Sequence, residues 1–136
     1  IKMETRKEMY TAIQSKLKDA VEEVKHIDLW NHNVELIEQE KGWARPAVFV
    51  EFGPIAWQPY TGGGYRGEGI LRLHVVTNWA EGGQEAAWAL TAKIREAMKS
   101  IKGESFYDLR LKETLTNHKH KDILESIEGY MVKSIL

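Results

Sequence analysis

The chain has no cysteine. Disulfides, thiolate-held metals and a cysteine nucleophile are therefore excluded, and the composition fits a reducing compartment without requiring one. No apolar run approaches the roughly 18 residues that a membrane-spanning helix needs, so no membrane partner is expected. The opening stretch IKMETRKEMY has no apolar core of a signal peptide. Neither sign of charge dominates: 19 basic residues face 20 acidic ones, for a net charge of −1. Such a balance supplies no overall field for steering onto nucleic acid, and no nucleic-acid partner is expected. Nucleophile and metalloprotease signatures are missing too. There is no G-x-S-x-G and no H-E-x-x-H, and the serines sit in helix or strand contexts. No catalytic residue and no cofactor is assigned.

What is present describes an ordinary globular chain. Its 136 residues suffice for about one domain, and residues 1–136 are read as a single α+β domain. Apolar residues make up 43% and charged residues 29%, inside the usual range for a packed core. From about Thr5 to Lys25, Met9, Ile13, Leu17, Ala20, Val21 and Val24 recur at spacings of three and four, which predicts an amphipathic helix. Thr5 and Glu8 have the spacing of a capping box. HIDLW at His26–Trp30 alternates as a short strand. NHNVELIEQEKGW then reads as a polar connection.

Pro46 opens AVFVEF, a strand with Val48, Val50 and Phe52 on one face and Ala47, Phe49 and Glu51 on the other. ILRLHVVTNW is a second strand, placing Leu71, Leu73 and Val75 opposite Arg72, His74 and Asn78. A second helix is expected from about Gly83 to Lys102, its stripe formed by Ala87, Leu90, Thr91, Ile94, Met98 and Ile101, with Gly103 as a left-handed stop. FYDLRLKETL puts Leu109, Leu111 and Leu115 on one strand face, NHKHKD reads as a turn, and ILESIEGYMVKSIL closes the chain. The apolar phase of that last strand changes near Gly129, as a β-bulge there would make it do. The expected fold class is α+β. It is an antiparallel-rich sheet with two amphipathic helices packed on one face, in the order α-β-β-β-α-β-β.

Between the first two long strands lies GPIAWQPYTGGGYRGEG, with two prolines and six glycines from Gly53 to Gly69. This density of breakers argues against regular structure for most of the stretch. Gly62, Gly64 and Gly67 spell G-x-G-x-x-G, but a dinucleotide fingerprint needs a helix directly after it to hold pyrophosphate. Here a strand follows, so nucleotide binding is rejected. Two readings stay open: a flexible hairpin tip, or a loop that orders on a partner. Trp57, Tyr60, Tyr65 and Arg66 supply the aromatic and arginine anchors that the second requires, and they are the candidate contact residues.

Other candidates are weaker. His118 and His120 alternate beside Lys119 and Lys121, which oppose a cation. His74 lies on the polar face of its strand with no evident partner, as at a surface or subunit contact. Asp28 and Glu51 sit in β segments where a buried carboxylate pair is conceivable. Trp30, Trp43, Trp57 and Trp79 fall at element ends or in loops, and Trp88 at the margin of its helix stripe. They suit core caps or interface anchors.

The succession RPAVFVEF, ILRLHVVTNW and GGQEAAWALTAKIREAM, followed by two closing strands, resembles the phage tail terminator (tail completion) family over roughly residues 5–136. The resemblance lies in element order rather than in an invariant motif. It implies a non-enzymatic structural protein of a phage or prophage that forms a homo-oligomeric ring, usually a hexamer. Such a ring caps the tail tube at the tail–head junction and meets other phage tail or connector proteins, in a virion assembled in the host bacterial cytoplasm. The glycine-rich stretch departs from a compact member. The other reading of the same pattern is a small α+β ligand-binding module with an apolar ligand on its sheet.

Overall fold

A computed structural model describes residues 4–31, 43–120 and 122–136. The element order is α1 (Thr5–Ala20), β1 (His26–Leu29), β2 (Ala47–Tyr60), β3 (Gly64–Asn78), α2 (Gly83–Met98), β4 (Phe106–His120) and β5 (Ile123–Ile135). The five strands form one sheet in the order β1-β2-β3-β5-β4. Only β1 pairs in parallel, with Ala47–Val50 of β2; every other pairing is antiparallel. The α+β class and the order α-β-β-β-α-β-β are those expected. Most of the polar connection between Trp30 and Trp43, including His32, lies outside the described residues, as do the side chains of Lys119, His120 and Lys121.

The apolar stripes of both helices close over one sheet face. Met9, Ile13 and Leu17 of α1 and Leu90, Ile94 and Met98 of α2 share a core with Val48, Val50, Leu71, Leu73, Val75, Tyr130 and Val132. Removing such side chains from water supplies most of the driving force, at roughly 25 cal/mol per Å². Both helices stop earlier than the periodicity suggests. The first ends at Ala20, yet Val21 and Val24 stay buried in the core. The second ends at Met98, yet Ile101 stays buried. Apolar side chains follow the core after the backbone has left the helix, so burial spacing overstates helix length.

Local chemistry differs from expectation at three points. Thr5 does not cap α1; Glu4 does, accepting from the Arg6 and Lys7 amides. The Thr5 hydroxyl is buried and reaches the Ser105 carbonyl and the Ser134 hydroxyl. Glu8, freed from a capping box, accepts from the Ser105 hydroxyl at 2.7 Å and its amide at 2.8 Å. Gly103 is not a left-handed stop either. A Cβ there would lie 2.5 Å from the Phe106 ring and 2.6 Å from the Glu8 carboxylate, so the position is set by close approach.

The sheet also carries irregularities that move side chains between faces. β4 runs through NHKH to His120 instead of turning there. Leu111 pairs with Tyr130 and Glu113 with Gly129, which leaves Lys112 as an extra residue. The bulge expected at Gly129 is therefore opposite it, in β4, while β5 stays in unbroken register with β3. One inserted residue inverts the alternation. Leu111 looks toward α2 beside Tyr130, whereas Leu115 goes to the other face with Glu113 and Asn117. The phase change along β5 has a different cause. This strand is covered on both sides, so Tyr130 and Val132 face the helices while Ile123 packs on the reverse face with Phe49 and Val76.

Glu128 sits fully buried under α2, held by the Arg95 guanidinium and the Thr114 hydroxyl. That pair ties α2 to the two strands beneath it. Tyr130, next to it, has a buried hydroxyl with no hydrogen-bond partner among the described residues, and burial pushes its pKa well above the usual range.

Bonds donated by Ser105, side chain first and amide next, hold the Glu8 carboxyl below its ordinary value of 4.5. A depressed carboxyl pKa stabilises the fold above the unfolded value, and that contribution is lost as pH falls through the folded one. Glu8→Gln is expected to lower stability at pH 7 by about 1 kcal/mol. The gap to the parent protein should narrow as pH drops below 4.5. Urea melts across pH check this; a gap independent of pH would refute the role of the charge.

Candidate interaction surfaces

The glycine-rich stretch is mostly strand. β2 runs on to Tyr60 and β3 begins at Gly64, so the connection is only residues 61–63. Gly62 and Gly63 take φ of 97° and 82° there, a conformation that glycine adopts at little cost. The remaining glycines serve packing. A Cβ at Gly67 would lie 2.7 Å from the Trp57 ring and 2.8 Å from Ile55, and one at Gly69 would lie 2.7 Å from Ile55. Both glycines are buried. The side chains of β2 thus lie flat across a strip of bare β3 backbone, replacing the packing that glycine itself cannot offer. Reading glycine as a breaker missed this because the compensation comes from the neighbouring strand.

The four candidate contacts therefore stand on paired strands and not in a loop, and β5 backs β3 as far as Arg66, so that only the last residues around the turn project as a two-stranded arm. A register shift between Phe52 and Ile55 sets their directions. Trp57 pairs with Gly67 and points to the helix-bearing side with Tyr65. Tyr60 and Arg66 point to the reverse side. Trp57 is half-buried against the glycines, and Tyr60 and Tyr65 are exposed. The Arg66 guanidinium lies 4.9 Å from the Tyr60 ring centroid, within reach of a cation–π attraction. Structure thus brings Tyr60 and Arg66 together, and separates them from Trp57 by the pleat.

The reverse face of the sheet carries a second assembly. His74 is buried, with Nδ1 2.6 Å from Glu125 and Nε2 2.8 Å from Glu51. Asn117 donates to the other oxygen of Glu125 at 2.7 Å. The Trp30 indole stacks on the imidazole, centroids 3.8 Å apart and planes 1° from parallel. An ionised carboxylate only accepts, so two of them are satisfied when the ring donates from both nitrogens. The unit spans β2, β3 and β5. Both nitrogens are engaged, and a proton taken from a substrate would have to break one of these bonds. Among the described residues no group of acidic and histidine side chains is placed to hold a metal ion.

His74 is thus a buried centre and not a surface contact. Glu51 meets His74 instead of Asp28, which stays exposed beside His26. Glu51 shares a face with Phe49, and His74 lies opposite Leu73; once β2 and β3 are paired, that parity alone brings them together. Glu125 and Asn117 carried no such signal. The tryptophans divide similarly. Trp30 and Trp43 cover Phe49, and Trp79 stacks on His118 at 4.6 Å. Trp88 remains 58% exposed on α2.

No family model matches the chain, and no curated protein matches it. The fold is similar to that of a chain in the solved virion of a native gene transfer agent particle. The two share 16% sequence identity and a TM-score of 0.60, over 94% of this chain and 95% of that one. At this identity the likeness is one of fold.

Two outcomes test these surfaces. Gly67→Val should cost about 1–3 kcal/mol by overpacking, and adding Trp57→Ala should relieve part of it, so that a double-mutant cycle is less than additive. Strict additivity would mean that the ring and the glycine are not in contact. His74→Phe should destabilise by about 3 kcal/mol or more, because Glu125 is left buried beside a second carboxylate. A further Glu125→Leu should recover much of the loss, as read by urea melts; no recovery would show that the charges are not the cause.

Proposed function

We propose that this chain is a structural, non-enzymatic subunit of a phage or phage-derived virion, folded as one domain of the tail-terminator type. It assembles into a ring, of six copies on the family pattern, that caps the tail tube at the tail–head junction. Other tail or connector proteins bind the ring, and assembly takes place in the host cytoplasm. The observation that supports this reading best is the fold likeness to a virion chain, because it extends over nearly the full length of both chains and agrees with the element order read from the sequence.

Physical features point the same way. The described residues concentrate polar chemistry in closed clusters such as His74–Glu51–Glu125, while large apolar side chains stand exposed in separate places. Tyr60, Tyr65 and Leu136 lie at the arm end; Trp88 and Leu111 lie on α2 and β4. Patches that differ from one another suit head-to-tail contacts, which close into rings. Trp57 acts here as packing for the arm, and Tyr60, Tyr65 and Arg66 as the contacts.

Light scattering and negative-stain microscopy of the purified protein should show rings, populated more fully as concentration rises. A particle that stays monomeric at the highest attainable concentration would overturn the proposal.

A further inference from the structure

We propose that the arm tip of one copy docks on the outer face of α2 of the next copy, with Arg66 against Glu85 and Tyr60 against Trp88. The inference rests on the self-assembly reading and names the surfaces that meet. Trp88, 58% exposed, is the most exposed large apolar side chain among the described residues. Glu85 precedes it by three residues and exposed Ala92 follows it by four, so all three share one helix face. Glu85 forms no ion pair among the described residues. The N-terminal half of α2 therefore presents tryptophan beside an unpaired carboxylate.

The arm tip presents the complement. Arg66 forms no ion pair among the described residues, and its guanidinium is laid over the exposed Tyr60 ring. An arginine paired with a tyrosine is matched by an anion beside an aromatic ring, since the guanidinium can bridge a carboxylate while its face stacks on the indole. β5 pairs with β3 as far as Arg66, and the Tyr65 and Leu136 backbones bond each other, so this end of the sheet arrives preformed with little ordering cost.

One copy cannot close this pair on itself. β3 starts beside the tip at Gly64 and ends at Asn78, shortly before α2 begins at Gly83. At about 3.3 Å per residue, the strand sets the two patches on the order of 40 Å apart, at opposite ends of the sheet. The contact is therefore between copies and head to tail, which gives a ring when the rotation closes.

A charge swap tests it. Arg66→Glu and Glu85→Arg should each raise the concentration needed for assembly roughly tenfold or more, and the double variant should restore most of it. Both side chains are exposed, so both variants should fold, and the small loss of stability expected when Glu85→Arg places a cation in the first turn of α2 should persist in the double variant while assembly is restored. Because the chain has no cysteine, Thr61→Cys with Ala89→Cys provides a second readout: mild oxidation should yield a ladder of covalently linked chains. Rings that form normally with either single charge variant, or single variants that weaken assembly without rescue and without a ladder, would overturn the docking while leaving the ring reading intact. A parent protein that is monomeric throughout would overturn both.

Discussion

The pairing of β3 with β5, unbroken from Arg66 through Asn78, is the constraint on which the other features depend. β5 puts glutamates on both of its faces, and each needs a different partner. Glu128 faces α2 and is met by Arg95 and Thr114; Glu125 faces the other way and is met by His74 and Asn117. A slip of one residue would send each carboxylate to the opposite face, away from its partners. Leaving a buried polar group unsatisfied costs about 1–3 kcal/mol, more for a charged one, so two such groups on opposite faces add to the apolar burial that fixes the register. Irregularity is displaced to the neighbours, where β2 shifts between Phe52 and Ile55 and β4 bulges at Lys112.

That arrangement explains which parts of the fold were legible beforehand. Helix stripes and strand alternation depend only on neighbours in sequence, and so α1, β1, the cores of β2 and β3, α2, and the order of all elements could be read directly. Features that depend on a facing strand could not. The glycines of β3 read as breakers because the side chains that pack on them, Ile55 and Trp57, belong to β2, and Pro54 and Pro59 because nothing local shows that this part of β2 has no outer strand to donate to. Leu115 was assigned to the wrong face because the inserted residue at Lys112 leaves no local mark. Thr5 and Glu8 had cap spacing, yet both were drawn to Ser105, some hundred positions away.

Residue type alone marked the candidate contacts, and their geometry came from the structure. Aromatic and arginine side chains in a glycine-rich stretch were a sound signal for an exposed surface, and Tyr60, Tyr65 and Arg66 are exposed. Their division between two faces followed from a register shift that no single-strand pattern encodes. The imidazole cluster was legible in half. Parity could place Glu51 and His74 on a common face, but Glu125 came within reach only through the order β2-β3-β5.

The two edges of the sheet bear on how copies would meet in the proposed assembly. On one side the edge strand β1 is only 4 residues long, and beyond Val50, where β2 has no strand on its outer side among the described residues, Pro54 and Pro59 each lack an amide to donate. On the far side, β4 shifts register after Tyr107, Leu111 and Asn117, and Asp108 takes a φ of 55° to hold Arg110 and Lys133. Bulges, prolines and charges on an edge oppose strand addition. A neighbouring copy would therefore find neither edge a regular template, and backbone pairing would not supply the specificity. That role falls to side chains, and those best placed are the exposed aromatic and charged groups at the two ends of β3. The glycine strip that first suggested a phosphate cradle serves packing instead, since Ile55 and Trp57 lie across it while β5 pairs with the same strand, and Tyr60 and Arg66 are left facing outward at the end of the sheet.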